Sequence, residues 1–287
     1  MLCSIAKTSE TDSTTQRVLA SLLLSLQIIQ VSASELDESS ELLDLEPDHT
    51  KDSPRVRRIK RPHLAHEFYR KLCAETCITD ALSSLLGPNI RLRSGGKVNM
   101  KSARFGSPVE WHQDWAFYPH TNDDVLAVGV MIDDMTEDNG PIMFVPGSHR
   151  GTVYDHMSSG VFSGAVSAEV AETLLATVET ITGRAGSVTF HHARLLHASQ
   201  ANRSGSPRRF LLYEVMAADA WPLAGGYGSF ESWESMNERM VIGEQSTTPR
   251  LVDVPVRMPL PLPTKVTSIY QLQRDGNSTY YWKGTNR

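Results

Sequence analysis

Hydrophobic and polar residues follow two periodic patterns along this chain, and the first has the period of an α-helix. Between His66 and Leu86 the apolar residues recur at helical spacing, and Gly87-Pro88 follows them directly. A helical period that ends in Gly-Pro predicts one amphipathic helix ending at Leu86. Its apolar face would consist of Phe68, Leu72, Ile78, Leu82, Leu85 and Leu86.

From residue 90 onwards the pattern is that of short β-strands. Short β-branched runs alternate with Gly, Pro, Asn and Asp, and Asp138-Asn139-Gly140-Pro141 is a strong turn signal. Many short strands separated by turns predict a mainly β fold with flanking helices, of the double-stranded β-helix (jelly roll, cupin-like) type. The predicted strands include Ile90–Arg93, Val125–Ile132, Ile142–Val145, Ser187–His191 and Phe210–Val215.

The remaining segments set the expected domain boundaries. Residues 1–16 are rich in Ser and Thr, which predicts disorder. The apolar run 18–29 favours an amphipathic helix over a secretion signal, because the residues before it carry both charges. We therefore expect an N-terminal extension over 1–34, partly disordered or helical, and a single double-stranded β-helix domain over 35–287.

Two segments within the larger domain interrupt the strand pattern. Segment 155–172 is acidic and poor in apolar residues, and it is expected to form a helix or lid. The tail from Pro249 carries four further prolines and is expected to be extended rather than helical.

Composition narrows the class of protein. The 287 residues are 40% hydrophobic and 21% charged, which is typical of a globular protein. A net charge of −5 favours neither nucleic acid nor a membrane surface as a partner. Since no apolar run is long enough to span a bilayer, we expect a cytoplasmic protein that acts on a small molecule. Composition leaves the oligomeric state open.

Cysteine and charge patterns add little chemistry of their own. Three cysteines without a CxxC motif argue against a disulfide framework or a zinc site, and Cys73 and Cys77 are expected as buried thiols on one helix face. The acidic stretch 35–46 precedes a basic patch, which favours a salt-bridged surface over a clamp for an anionic substrate tail. The patch consists of Arg55, Arg57, Arg58, Lys60 and Arg61.

The sequence His112-Gln113-Asp114 is the first candidate for metal chemistry. Residues two apart on a strand face the same side, so His112 and Asp114 can coordinate one ion while Gln113 faces away. A third ligand must come from a distant strand. His197 follows the apolar strand 187–190 and suits that role, in competition with His120, His149, His191 and His192. Two histidines and one carboxylate leave one face of a metal open, as in Fe(II) oxygenases, and the set also suits Mn, Co or Ni.

Two arginines enter an apolar strand at Arg208 and Arg209. Burying a guanidinium is costly unless it is paired, and a dicarboxylic co-substrate would provide a bidentate partner. Adjacent residues point to opposite faces, so only one of the two can serve. The alternative is a salt bridge to Glu214 or to a surface acid.

Taken together, these motifs closely resemble the phytanoyl-CoA dioxygenase family over about residues 45–225. The resemblance implies a double-stranded β-helix and an Fe(II)/2-oxoglutarate-dependent dioxygenase (hydroxylase) that uses O2 and releases succinate and CO2. Ascorbate is a candidate stimulant. The matching elements are His112-Gln113-Asp114, Asp138-Asn139-Gly140-Pro141, Pro146-Gly147-Ser148-His149, His197-Ala198-Ser199, Asn202 and Arg208.

The resemblance also implies residue roles. His112, Asp114 and His197 would be the iron ligands and the catalytic centre. Arg208, with Arg209 as the fallback, would bind the distal carboxylate of 2-oxoglutarate. Ser199 would hydrogen-bond that carboxylate, and Asn99 would touch the co-substrate near the metal. Separately, we expect a substrate pocket lined by Trp115, Phe117, Tyr118, His156, Met157 and Trp221.

Two positions, compared with the family pattern, narrow the expected class of substrate and the expected type of reaction. Val130 stands where relatives acting on acyl-CoA tend to have tryptophan, which indicates a small organic metabolite instead. Asp114 is present, whereas halogenating relatives replace it with a small residue. Hydroxylation of an unactivated C–H bond is therefore expected, and desaturation and rearrangement share the same chemistry. The alternatives are a non-catalytic metal-binding β-helix module and a 2-oxoglutarate-independent cupin-type metalloenzyme.

Overall fold

The computed structural model describes residues 2–4, 33–64, 66–223, 232–264, 268–276 and 280–281. Most of the regular structure in these ranges is β-strand. The helices are α1 (Phe68–Lys71), α2 (Thr76–Leu86), α3 (Ala168–Leu174), α4 (Trp233–Asn237) and α5 (Ile269–Asp275). The strands are β1 (Leu2–Ser4), β2 (Leu43–Leu45), β3 (Val56–Lys60), β4 (Ile90–Leu92), β5 (Lys97–Lys101), β6 (Val109–His112), β7 (Val125–Met131), β8 (Ile142–Phe144), β9 (Met157–Ser158), β10 (Val161–Phe162), β11 (Glu179–Ile181), β12 (Ser187–His192), β13 (His197–Ser199), β14 (Arg208–Ala217) and β15 (Met240–Ile242).

Two antiparallel sheets form the body of the described chain. The larger has the strand order β1-β12-β7-β14-β5-β3-β2, with β4 paired to β14 and β15 paired to β4. The smaller has the order β11-β8-β13-β6. Residues of both sheets line one cavity, which therefore lies between them. The predicted mainly β jelly roll with flanking helices is confirmed.

The two faces of β14 explain how one strand serves both core and cavity. Leu211, Tyr213 and Val215 point outward and join the hydrophobic core that includes Ile78 and Leu82 of α2. Residues in between point into the cavity, because successive side chains on a strand face opposite sides. These are Arg208, Phe210, Leu212 and Glu214.

The predicted helix over 66–86 is interrupted. A 3-10 turn at Leu72–Ala74 follows α1, and Glu75 then adopts an extended backbone (φ −63°, ψ 139°) before α2 begins. The apolar spacing hid this break, because Leu72 before it and Ile78 and Leu82 after it pack into the same core, although Leu85 of the predicted apolar face is exposed. Cys73 is buried but Cys77 is exposed, so the expectation of two buried thiols was wrong for Cys77.

The segment 155–172 and the tail contain more regular structure than expected. Segment 155–172 contains the β9–β10 hairpin and the start of α3, capped by the Ser167 side chain, which accepts a hydrogen bond from Val170 N–H. The tail has no regular secondary structure over 251–260 but then forms α5, so the expectation of a wholly non-helical tail was wrong. Helix α5 begins beyond the last proline, at a Ser268 cap that accepts from Gln271 N–H.

At the N-terminus, Leu2–Ser4 pairs with β12, so the disorder expected over 1–16 does not hold for these three residues, and the rest of that segment lies outside the described residues. The helix expected over 18–29 lies outside the described residues. Within the ranges given above, no helix is both long and apolar enough to cross a membrane.

The acidic stretch and the basic patch meet in the β2–β3 ladder. Asp44 is buried and bridges Arg58 and Lys60, and Glu41 pairs with Arg61. Asp48 pairs with Arg55 in the same way. The interpretation as a salt-bridged surface therefore holds for these pairs, but Arg58 also reaches the cavity.

Candidate metal centre

His112 and Asp114 point into the cavity because the extended backbone continues past the end of β6. His112 is the last residue of β6, Gln113 remains extended (φ −114°, ψ 127°), and Asp114 begins a 3-10 turn. Gln113 turns away from the cavity, and its side-chain amide donates to Thr152 O at 3.0 Å and to Arg194 O at 2.8 Å. The alternation inferred from sequence is the arrangement observed.

His197 completes a cluster with these two residues. It opens β13 and is the direct cross-strand partner of His112, with the ring centroids 4.1 Å apart. One ligand atom from each of His112, Asp114 and His197 can be chosen so that all lie within 4.8 Å of one another. All three residues are buried. The three side chains thus meet at one point of the cavity wall.

The histidines are oriented by backbone carbonyls. His112 Nδ1 lies 2.7 Å from Glu110 O, and His197 Nδ1 lies 2.9 Å from Leu195 O. A carbonyl only accepts hydrogen bonds, so Nδ1 carries the proton and the Nε2 lone pair remains for a ligand. Carbonyls that accept from the second ring nitrogen are the usual support of metal-binding histidines.

Protonation states also suit a cation. Burial, together with the nearby His197, holds the pKa of His112 well below its ordinary value, so the imidazole is neutral at pH 7. For Asp114, burial raises the pKa, but His197, Lys97 and His112 outweigh it and the net pKa lies below the usual range. Metal ligands must be deprotonated, and both shifts favour that form of His112 and Asp114. The donor set therefore fits a divalent ion with one open face.

The remaining histidines have other surroundings. His191 is buried, lines the same cavity and lies 5.0 Å from the His197 ring, centroid to centroid. His120 donates through Nδ1 to Tyr118 O, and His149 packs against His192 near Asp123. Among the described residues, only His191 of these competitors lines the cavity.

The inner cavity, of about 60 Å³, has a cationic end formed by β5 and β14. Arg208 is buried, and its Nη2 donates to Gly140 O at 2.6 Å while its Nε has no hydrogen-bond partner among the described residues. Lys101 lies opposite Arg208 in the β5–β14 register and donates to the carbonyls of Ser107, Ser199 and Gln200. Burial lowers the pKa of Arg208 to about 10. A buried guanidinium whose Nε has no hydrogen-bond partner among the described residues is suited to receive an anion.

Arg209 faces the other side of the sheet. Its side chain forms an ion pair with Asp133, with Nε 2.7 Å from Oδ2. Glu214, the acid suggested as an alternative partner for the buried arginine, pairs instead with Arg93 and Lys97. Of the two adjacent arginines, the structure turns Arg208 towards the triad.

Asn99 and Ser199 both line the inner cavity. Asn99 sits on β5 between Lys97 and Lys101, and its Oδ1 is buried without a hydrogen-bond partner among the described residues. Ser199 ends β13 and is buried. Both positions thus contribute a polar residue to the wall of the cavity that the triad and Arg208 also line.

An outer cleft of about 660 Å³ shares Asp114, Lys97, Glu214 and Arg58 with the inner cavity. Phe117 and Tyr118 line this cleft, as expected of substrate-pocket residues. The rest of its wall is largely apolar and comes partly from the C-terminal segment. That part of the wall includes Phe162, Leu223, Met258, Leu260, Leu262 and Leu272.

The other four residues expected in the substrate pocket line neither the inner cavity nor the outer cleft. Trp115 is fully buried in the core and donates through Nε1 to Pro255 O at 2.8 Å. His156 Nε2 accepts from Gln113 N–H at 2.9 Å, which makes it a support for the ligand segment. Met157 lies beside it on a separate surface cavity, and Trp221 stacks on Arg91. For Trp115, proximity in sequence to the ligand pair did not place the side chain at the site.

Sequence reasoning missed the charged residues of β5 and their partner on β14. Lys97, Asn99 and Lys101 all face the cavity, because they are two residues apart on one strand. Glu214 accepts from Lys97 Nζ at 2.8 Å and from Arg93 Nη1 at 2.5 Å. Burial raises the pKa of Glu214, but Lys97 and Arg93 bring it down to about 2. The alternation Lys97-Val98-Asn99-Met100-Lys101 was the available signal.

The chain is similar to known 2-oxoglutarate-dependent enzymes. A family model described as phytanoyl-CoA dioxygenase (PhyH) matches residues 27–210. The chain is 40% identical over 268 residues to a probable alpha-ketoglutarate-dependent hypophosphite dioxygenase of Stutzerimonas stutzeri, with 91% of each protein covered. It is 33% identical to an L-proline trans-4-hydroxylase of Streptomyces griseoviridis, over 54% of this chain and 66% of that protein.

The fold is shared with solved structures. A crystal structure of EctD from S. alaskensis with 2-oxoglutarate and 5-hydroxyectoine aligns with a TM-score of 0.60 at 21% identity. The alignment covers 90% of this chain and 84% of that one. At this identity the likeness establishes the fold.

Proposed function

Because this chain belongs to the phytanoyl-CoA dioxygenase family of iron- and 2-oxoglutarate-dependent enzymes, we propose that His112, Asp114 and His197 bind its iron. Arg208 binds the distal carboxylate of 2-oxoglutarate, with Ser199 and Asn99 as further contacts. The single observation that carries this assignment is that the triad and the buried Arg208 line one small cavity. The expected domain division, an extension over 1–34 and one catalytic domain over 35–287, belongs to the same proposal.

The protein contributes position, charge and a dry enclosure. Bound iron(II) and 2-oxoglutarate supply dioxygen activation, with decarboxylation of the keto acid to succinate and CO2 and transfer of one oxygen atom to substrate. Glu110 O and Leu195 O fix the imidazoles, with Nε2 of each directed to the ligand position. The guanidinium of Arg208 orients the co-substrate within an enclosure that excludes water.

For the substrate we propose a small oxyanion of the hypophosphite class. The relative that is 40% identical across nearly the whole chain is named for hypophosphite, and cationic side chains line the outer cleft beside Asp114. The reaction balances as hypophosphite, 2-oxoglutarate and O2 giving phosphite, succinate and CO2, with one P–H bond converted to P–OH. Arg58, Arg93 and Lys97 are the cations concerned.

A second candidate is hydroxylation of a C–H bond in a small organic metabolite. The apolar part of the outer cleft, which includes Phe117 and Met258, favours this reading. The proline hydroxylase relative supports it with lower identity and coverage.

A substrate panel separates the two candidates. We expect the protein, supplied with Fe(II), 2-oxoglutarate, O2 and ascorbate, to form succinate and phosphite in equal amounts when hypophosphite is added. L-Proline and ectoine should give only the slow, substrate-independent background. Hydroxylated proline or ectoine without any phosphite would favour the organic candidate instead.

A ligand variant tests the metal assignment. Asp114→Ala should abolish substrate-linked succinate formation, because it removes the carboxylate of the proposed triad. Asp155→Ala is the control, since Asp155 is an exposed acid whose Oδ1 accepts a hydrogen bond from Met157 N–H outside the cavity. Full turnover in Asp114→Ala would refute the ligand set.

A further inference from the structure

The cavity has cations at two separate positions along β5. Lys97 and Lys101 face the same side of this strand, four residues apart. Four residues of strand span about 13 Å. Lys101 lies beside Arg208 at the inner end, whereas Lys97 lines both the inner cavity and the outer cleft.

The co-substrate does not account for the outer cation. Arg208 would hold its distal carboxylate at the inner end, where Lys101 Nζ already donates to three backbone carbonyls, and the keto-acid end is needed at the triad. A five-carbon dicarboxylate is much shorter than the roughly 13 Å that separates the backbone positions of Lys101 and Lys97. Lys97 also lines the outer cleft, which neither Arg208 nor Lys101 lines, so it can contact a ligand there while 2-oxoglutarate is anchored at Arg208.

Lys97 belongs to a charge cluster that is not neutral. Its ammonium donates to Glu214 Oε1 at 2.8 Å, and Arg93 Nη1 donates to Oε2 of the same carboxylate at 2.5 Å. Two cations thus share the carboxylate of Glu214, and the one positive charge in excess faces Asp114, whose own charge a bound metal ion would offset. The guanidinium of Arg93 also lies over the Tyr118 ring, 4.0 Å from its centroid, which fixes the cluster against the cleft wall.

Lys97 has donor capacity left for a ligand. An ammonium has three N–H donors, and Glu214 is its hydrogen-bond partner among the described residues. The side chain is 30% exposed, whereas that of Glu214 is 8% exposed. Solvent and ligand can therefore reach the lysine more readily than the carboxylate beneath it.

A second cation strengthens the same charge. Arg58 lines both the inner cavity and the outer cleft, and its partner Asp44 is shared with Lys60. Here too, two cations share one carboxylate. The mouth of the metal site is therefore positive on two sides, although the whole chain has a net charge of −5.

We propose that Lys97, held in place by Glu214 and Arg93, is the residue that binds the anionic group of the substrate next to the metal triad. This inference rests on the function proposed above and adds the residue that selects for charge. Lys97 contacts substrate, whereas Glu214 and Arg93 are positioning residues. The ligand class is a small monoanionic or dianionic oxyanion with its reactive bond directed at the open face of the metal.

The test compares Lys97→Met with Lys60→Met in protein loaded anaerobically with Fe(II) and 2-oxoglutarate. Lys60 is the matched control, because it is the cross-strand neighbour of Lys97, is similarly exposed (28%) and pairs with a buried acid, yet lines neither cavity. The probes are hypophosphite, phosphite and methylphosphonate, together with dimethylphosphine oxide as an uncharged P–H compound. Binding is measured by calorimetry, and 2-oxoglutarate affinity is measured separately.

We expect Lys97→Met to weaken binding of hypophosphite and the other anions roughly 10- to 100-fold, the usual loss for a hydrogen bond to a charged group. Lys60→Met should change it less than about threefold by the same measure, since its charge is already shared with Asp44. Lys97→Arg should restore part of the affinity, and binding of the uncharged compound and of 2-oxoglutarate should be unchanged in Lys97→Met.

The proposal is overturned if wild type binds none of the three anions better than Lys97→Met does. It is also overturned if Lys97→Met lowers 2-oxoglutarate affinity as much as anion affinity, which would assign Lys97 to the co-substrate. Failure of the proposed function has a different signature, since wild type would then form no succinate with any compound of the panel.

Discussion

At the scale of single residues, alternation along extended backbone decides which side chains reach the cavity. His112 and Asp114 face inward with Gln113 outward, and Arg208 faces inward with Arg209 outward. This period of two is a local property, so it is readable before any fold is known. It is the reason that His112 and Asp114 could be paired from sequence, whereas His197 and the choice of Arg208 over Arg209 were implied by the resemblance to the family.

The pair of arginines offers a direct comparison. Arg208→Ala should weaken 2-oxoglutarate binding roughly 10- to 100-fold, because it removes a charge-assisted hydrogen bond to a carboxylate in a buried site. Arg209→Ala should leave this affinity unchanged and lower the free energy of unfolding by up to about 1 kcal/mol, since its ion pair with Asp133 is partly exposed. Anaerobic titration with 2-oxoglutarate measures the first effect, and denaturant unfolding the second. The reverse ranking would move the carboxylate anchor to Arg209.

Other residues of the site depend on pairing that no local pattern reveals. Lys97 and Glu214 lie on strands far apart in sequence, and they meet because β5 and β14 pair in one register. Conversely, Trp115 and His156 are near the ligands in sequence or space, but the core and a hydrogen bond to Gln113 N–H occupy them. Contact with substrate is a property of the assembled sheets, and aromatic character alone did not predict it.

At the scale of elements, strands were predicted better than the ends and breaks of helices. The predicted strands occur with shifts of a few residues, and β14 begins earlier and ends later than Phe210–Val215. The break at Glu75 went unnoticed because apolar spacing continues across it, and α5 because prolines dominate the tail before it. Caps such as Ser268 are short signals that periodicity does not register.

Strand β7 contains a glycine, Gly129, that leaves room for a side chain of the cavity wall. A Cβ at Gly129 would lie 2.1 Å from Phe210 Cζ and 2.6 Å from Thr189 Oγ1. Phe210 lines the inner cavity, so Gly129→Ala must displace this ring. We expect a loss of about 1–3 kcal/mol in the free energy of unfolding, typical of overpacking, together with weaker 2-oxoglutarate binding.

The control for this substitution is Gly205→Ala. A Cβ at Gly205 would meet no atom within 4 Å, and its backbone is not in the left-handed region. Thermal unfolding and 2-oxoglutarate titration of both variants provide the comparison. Equal stability and affinity in Gly129→Ala and wild type would mean that the ring has room to move aside.

At the scale of the whole molecule, the class of protein could be predicted from the sequence, but the cationic lining of its cavity could not. The mainly β jelly roll, the family and the dependence on 2-oxoglutarate were expected from motif order, and the comparisons confirm them. A net charge of −5 gave no hint of a cationic cavity, because a sum over the surface does not describe the inside. Family membership favours the enzyme over a non-catalytic module.

The ion pairs of Glu214 link this interior to the stability of the whole molecule. Its folded-state pKa of about 2 lies below the ordinary value of 4.5, so its contribution to stability is fully present above pH 4.5. That contribution, on the order of 3 kcal/mol, should be lost as pH falls from 4.5 towards 2. Denaturant unfolding across this pH range measures it.

The variant Glu214→Gln should remove most of this pH dependence and lower stability at neutral pH, because Arg93 and Lys97 lose their shared carboxylate. Glu41→Gln is the control, since Glu41 pairs with Arg61 in an exposed position and should change little. If the two variants unfold alike at every pH, Glu214 does not hold its neighbours as described.

The direct pairing of His112 with His197 has a consequence for cooperativity. These residues join β6 to β13, which are distant along the polypeptide but adjacent in the smaller sheet. Occupancy of both imidazoles by a shared ion would crosslink this ladder at its edge strand and suppress local opening there. Amide protons of β6 and β13 would then exchange with solvent more slowly than those of the β2–β3 ladder. Metal binding at the triad would in this way stabilise the pairing of the two strands.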